Sequence, residues 1–213
     1  MKIRIEPYQA TLDAIQRRLT DMGKGETFRN ALKKAINEVA TEGKNLLHNE
    51  TRSAYTIKTA EFKKSDIVKK SATARRMIAI LSVKGKTPGV RKAYKTKKNS
   101  KKKAAGAMVI RAGSMKELEL KVNGKSYKAF VAKMKTGHEG IFQRVPGKTM
   151  KKNPVGEKTK GREAIKEIMA MSKAKAAETV YEKSNLYTEL QEEIGYRLLK
   201  HINAVLNATT GGS

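Results

Sequence analysis

Few side chains in this 213-residue chain could carry chemistry. It has three histidines, His48, His138 and His201, and no cysteine. The histidines stand far apart and none lies in a His-Glu-x-x-His arrangement, so no metal site is read from them. Two Gly-Lys-Thr triplets, Gly85-Lys86-Thr87 and Gly147-Lys148-Thr149, match the end of a phosphate-binding loop. The glycine that such a loop needs five positions earlier is replaced by Ile80 and Phe142. Both triplets also open basic loops rather than strand-to-helix turns, which argues against nucleotide hydrolysis. Glu192 and Glu193 are neighbours on a predicted helix and point to different faces, a poor carboxylate pair. No Ser-His-Asp arrangement has a local signature. The expectation is a protein that is not an enzyme, with no cofactor and no small-molecule substrate.

His138 has the most specific setting. It stands in Thr136-Gly137-His138-Glu139-Gly140, where it could be a pH-sensitive contact or a partner anchor. The expected role is plainer: a histidine that hydrogen-bonds the backbone of its own turn.

The elements that must position it read as two strands. Phe130, Ala132 and Met134 alternate with Val131, Lys133 and Lys135; Ile141, Gln143 and Val145 alternate with Phe142 and Arg144. That period of two suits half-buried strands, with Gly137 and Gly140 expected to supply unusual backbone angles at the turn. A lone hairpin is marginal and must pack on something else.

Upstream, Met1 to Ile5 alternates as a short strand, and Pro7 suits the start of a helix bearing Leu12, Ile15 and Leu19, ended by Gly23 and Gly25. A longer helix follows, with Thr27 as its expected N-cap. Phe28, Leu32, Ala35, Ile36, Val39, Gly43, Leu46 and Leu47 form its stripe at helical spacing. Further strands are expected near 67–71, 76–83, 107–112, 117–122 and 127–134, with Asn123-Gly124 as a hairpin turn. Ala164, Ile165, Ile168, Met169 and Met171 make a short apolar patch. Val180, Leu186, Leu190, Ile194, Leu198, Ile202 and Val205 then mark one long amphipathic helix, with 209–213 frayed. Helices, then strands, then a helix predict an α+β fold: a small, mostly antiparallel sheet or sandwich flanked by helices. We read 1–213 as one domain, with 1–52 the N-terminal strand and helices and 53–145 β-rich around a basic loop at 84–105. A second basic loop follows at 146–162, then C-terminal helices at 163–208.

The formal charge is +27 and the pI about 10.2, a field that attracts polyanions. Between Asp66 and Glu117 there are sixteen Lys or Arg and no Asp or Glu. Lys84, Lys86, Arg91, Lys92, Lys95, Lys97, Lys98, Lys101, Lys102 and Lys103 are the candidate contacts to a polyanion or an acidic partner. Read alone, this run lacks apolar anchors and should be mobile until a partner orders it. Phosphate neutralisation and folding against an acidic subunit stand level, while Tyr94 as the one aromatic argues against a single-strand stacking platform. Met1-Lys2-Ile3-Arg4-Ile5-Glu6-Pro7 lacks the apolar core of a signal peptide, and Met77 to Leu81 is too short an apolar run to span a bilayer. A soluble protein made in the cytoplasm, without a membrane partner, is expected.

Thr136-Gly137-His138-Glu139-Gly140-Ile141-Phe142-Gln143-Arg144 resembles the Ser-Gly-His-x-Gly-Val-Phe-Gln-Arg signature of the minor tail protein Z family of phages and prophages. Ala31 to Asn37, followed by Arg52, Tyr55, Ile57 and Lys58, is similar to that family's Ala-Leu-Asn-rich helix and Arg-x-x-Tyr-x-Ile-Lys segment. After the hairpin, Ile165 to Ser172 keeps the family's Ile, Glu and Ser spacing but has Ala170-Met171 where a Gly-Pro is usual.

The resemblance implies a virion structural protein at the head-proximal end of the tail, made in the bacterial host and needed for productive head–tail joining. Its partners would be other tail and neck proteins and copies of itself in a ring, with sixfold order matching the tail tube. DNA in the neck channel is a further contact. Thr136, Gly137, His138, Gly140, Phe142, Gln143 and Arg144 would form the motif interface. The rival reading from the residues alone is a non-specific basic DNA-binding or architectural protein.

Overall fold

The computed structural model describes residues 1–6, 13, 17, 25–149 and 163–210. The helix expected after Pro7, most of the second basic loop and the last three residues lie outside them. The fold is α+β, with small antiparallel sheets and C-terminal helices. Among the described residues, no helix is long and apolar enough to cross a membrane. The chain folds into two compact units: Met1–Thr51, Lys63–Gly85 and Lys173–Ser213 form one, Arg52–Phe62 and Lys86–Ser172 the other.

In the first unit, β1 (Lys2–Ile5), β3 (Ala79–Val83) and β2 (Ile67–Lys70) make an antiparallel sheet with β3 central. Ile3 faces Leu81 and Ile67 faces Val83, and all four side chains are buried. Helix α1 (Gly25–Ala54) buries Leu32, Ala35, Ile36, Val39 and Leu47 along the predicted stripe. It begins two residues before Thr27, so Thr27 is inside the helix and cannot take the non-helical backbone of an N-cap. Gly43 is on this stripe because a β-carbon there would meet Leu190 at 3.0 Å and Ile5 at 3.6 Å. Asn37 ties α1 to the chain beyond β2: its Oδ1 accepts from the Ala72 N–H (2.7 Å) and its Nδ2 donates to the Ala72 carbonyl (3.2 Å).

The C-terminal helical pattern is broken in two. Helices α3 (Lys173–Lys183) and α4 (Leu186–Thr210) are separated at Ser184-Asn185, although Val180, Leu186, Leu190, Ile194 and Leu198 are buried as the pattern requires. Polar contacts hold α4 on α1. Arg197 donates to Glu193 (2.7 Å) and to Glu42, and His201 Nε2 lies 2.9 Å from Glu38 Oε2. At the start of α3, Lys173 crosses Gly85 to reach Asp66 at 2.9 Å.

The second unit holds two three-stranded sheets and a hairpin. One sheet runs β4 (Lys95–Lys97), β5 (Gly106–Met108), β6 (Lys116–Glu117). The hairpin joins β7 (Glu119–Val122) and β8 (Lys125–Lys128), with Val122 opposite Lys125. Asn123 (φ 47°) and Gly124 (φ 75°) are both left-handed, as the predicted Asn-Gly turn demands. The other sheet runs β9 (Phe130–Lys133), β10 (Glu139–Thr149), β11 (Glu163–Glu167).

The basic run departs from expectation. A short helix α2 (Val90–Ala93) and strand β4 lie within it, and Val90, Ala93 and Tyr94 are buried. Those three side chains are the apolar anchors that the density of lysines conceals in the sequence. Pro146 to Thr149, expected to open the second loop, instead complete β10.

Candidate functional site

The motif residues build the β9–β10 connection and its support. Gly137 closes the turn in the left-handed region (φ 83°), donating to the Met134 carbonyl (2.9 Å), while Met134 N–H donates to the His138 carbonyl (2.7 Å). Lys135, Thr136 and Gly137 are thus a three-residue connection ending in a left-handed glycine, a common hairpin solution. Thr136 is exposed at its tip. Below it, Ile141 opposes Val131 and Phe142 opposes Phe130. Phe142 is buried, Gln143 Nε2 donates to the Tyr127 carbonyl (2.9 Å), and the Arg144 guanidinium lies 5.9 Å from the centre of the Phe130 ring.

Two expectations for this turn need correction. Gly140 has no unusual backbone angle; it sits in β10, paired with Ala132. What it supplies is space, because a β-carbon would come within 2.7 Å of Glu167 Oε1. His138 does not use its ring on its own turn either. Its Nε2 lies 2.9 Å from Glu167 Oε2, and its ring meets Phe142 edge-to-face at 6.4 Å. A carboxylate on β11 outcompetes turn carbonyls for the ring because an ionised acceptor makes the stronger hydrogen bond.

Glu167 is therefore the centre of the constellation. One oxygen packs over Gly140 and Gly89, where any β-carbon would overlap it, and the other meets His138. Gly89 is brought there by bridging Met169, with Val90 N–H donating to the Ile168 carbonyl (2.9 Å) and Ala170 N–H to that of Pro88 (2.8 Å). From the same segment, Arg91 reaches Glu139 at 2.8 Å. Gly89, Arg91 and Glu167 join the motif from segments distant in the chain, and no local pattern announces them; Glu167 is visible only as the acid in the Ile165 to Ser172 phrase.

A histidine oriented by a carboxylate could serve as a base only beside a nucleophile or substrate group. In this cluster the ring and carboxylate bind one another and tie the turn to β11. Among the described residues, no three His, Cys, Asp or Glu side chains converge as metal ligands would. His48 is buried on α1 and His201 serves the α1–α4 contact, so the histidines do distinct jobs.

No family model matches the chain, and no curated protein or solved structure matches it at a significant level.

The basic candidates divide by surroundings. Lys84 belongs to the first unit, the rest to the second. Arg91 is spent on Glu139, and Lys92 lies 3.4 Å from Glu61. Lys86, Lys95, Lys97, Lys98, Lys101, Lys102 and Lys103 are exposed, and none pairs with a carboxylate among the described residues. The turn displaying the last four is held in place. Asn99 Oδ1 accepts from Val131 N–H (3.0 Å) at the edge of β9, Ser100 bonds Lys103, and Lys128 Nζ donates to the Lys102 carbonyl (2.7 Å).

Proposed function

We propose that this chain is a structural phage virion protein: a minor tail, tail-completion protein at the head-proximal end of the tail, required for productive head–tail joining. The observation that carries the proposal is the Thr136–Arg144 signature. Its side chains do scaffold work consistent with a packing role: a left-handed turn glycine, a glycine under Glu167, a buried phenylalanine, and Gln143 and Arg144 against neighbouring strands.

In this reading the protein works by subunit packing. Copies associate head-to-tail into a ring, and such heterologous contacts close only at the right rotation, sixfold in register with a tail tube. The exposed turn at Thr136 and the basic turn face neighbours: tail and neck proteins, and DNA in the channel.

Deleting the gene from the phage or prophage that carries it tests the proposal. The expected result is filled heads and tails that fail to form infectious particles, rescued by supplying the chain in trans. Unchanged infectious titre without the chain overturns it.

A further inference from the structure

We infer that the ordered turn 98–103, together with β4, is a binding surface for the phosphate backbone of duplex nucleic acid. Lys95, Lys97, Lys98, Lys101, Lys102 and Lys103 fall within nine residues, all exposed, none paired with a carboxylate among the described residues. Side chains two apart on a strand recur about every 7 Å. Glu117, a carboxylate beside the turn, is engaged by the Ala104 N–H at 3.1 Å.

Three features select nucleic acid over an acidic protein. Protein interfaces have an apolar or aromatic centre and are depleted of lysine, whereas only Asn99 and Ser100 interleave the lysines of the turn. The arginine of the run, suited to forked carboxylate recognition, is already paired with Glu139, leaving only hydrated point charges unpaired. Duplex DNA presents about one charge per 1.7 Å of axis, a denser line of negative charge than an acidic protein surface offers to a cluster of six cations.

A further feature selects duplex over single strand. Tyr94, the aromatic of the basic run, is 1 % exposed and cannot stack on a base. Binding would then be backbone-directed and blind to sequence.

The fixing of the turn matters energetically. A flexible lysine run must be ordered on binding, whereas here Asn99, Ser100 and Lys128 have already restrained the backbone. The inference stands on the second unit alone and goes beyond assembly: DNA binding by the purified chain and head–tail joining in the phage are separate readouts, so one can fail without the other.

The test is fluorescence anisotropy of the purified full chain with a random-sequence duplex of about 30 base pairs, titrated at several salt concentrations. The unmodified chain should bind, with affinity falling steeply with salt. Replacing Lys98, Lys101, Lys102 and Lys103 by Gln should make the slope of log K against log salt shallower by about 3 to 4. Asn99→Ala should weaken binding several-fold at nearly unchanged slope, since the charges stay but their restraint goes. A control carrying Lys33→Gln and Lys34→Gln in the first unit should keep most of the affinity. Equal slope and affinity in the quadruple variant would overturn the assignment, as would competition by polyglutamate as effective as by duplex, which would place an acidic protein there.

Discussion

Glu167 leans over Gly140 so closely that a β-carbon on the glycine would lie 2.7 Å from its Oε1. The same carboxylate covers Gly89 and reaches His138 with its other oxygen. Gly89→Ala or Gly140→Ala would push aside the Glu167 carboxylate, the flexible end of its side chain, so each should cost about 1 kcal/mol or less, chiefly through the displaced His138 contact. Glu167→Ala should remove most of that extra cost, so the double variants are non-additive. Urea denaturation of the singles and doubles checks this; additive losses would mean that the glycines do not act through Glu167.

Arg197 gathers Glu38, Glu42 and Glu193, and Glu193 above all, by its hydrogen bond, holds the guanidinium's pKa above its ordinary value. Arg197→Met would leave three carboxylates without their shared cation. The expected loss is about 1–2 kcal/mol, more than an isolated surface pair gives, and it should shrink in high salt. Hydrogen exchange should locate the weakening in α4. Unchanged exchange there would show that apolar contacts alone hold the helix.

Asp66 gives a pH dependence of definite sign. Burial pushes its carboxyl up, but the Lys63 N–H and the Lys173 ammonium together hold it below the ordinary value. A depressed folded pKa stabilises fully above the unfolded carboxylate value, and that contribution is lost as pH falls through the folded one. Asp66→Asn should cost stability at pH 7 and flatten the loss of stability on acidification. A variant whose acid limb matches that of the unmodified chain would remove Asp66 from the account.

The Asn123-Gly124 turn supplies a further check. Gly124 sits at φ 75°, so Gly124→Ala should cost about 1 kcal/mol although nothing lies within 4 Å of the added carbon. A neutral result in thermal melting would mean that the hairpin relaxes to another turn.

Much of the fold is legible where local pattern and final environment agree. The stripe on α1 and Asn123-Gly124 each state a period or a turn preference that the fold keeps, and 130–133 pairs with 139–142 as a hairpin, but not with the expected one-sided burial: Gly140, Ile141 and Phe142 are buried in succession. The basic run misleads because Val90, Ala93 and Tyr94 are too few among lysines to show a period, and their burial depends on strands distant in sequence. Gly140 belongs to the predicted hairpin for a different reason from the predicted one. A glycine needed for left-handed backbone and one needed for space look alike in sequence, and only Glu167 tells them apart. The break at Ser184-Asn185 is hidden because apolar spacing runs across it unperturbed.

The central claim is a place at the head-proximal end of a phage tail. Gold-labelled antibody against this chain, applied to intact virions and isolated tails, tests it most directly. The account predicts label at that end of both. Particles free of label, with the chain instead spread on DNA in infected cells, would contradict it and leave a DNA-binding protein in its place.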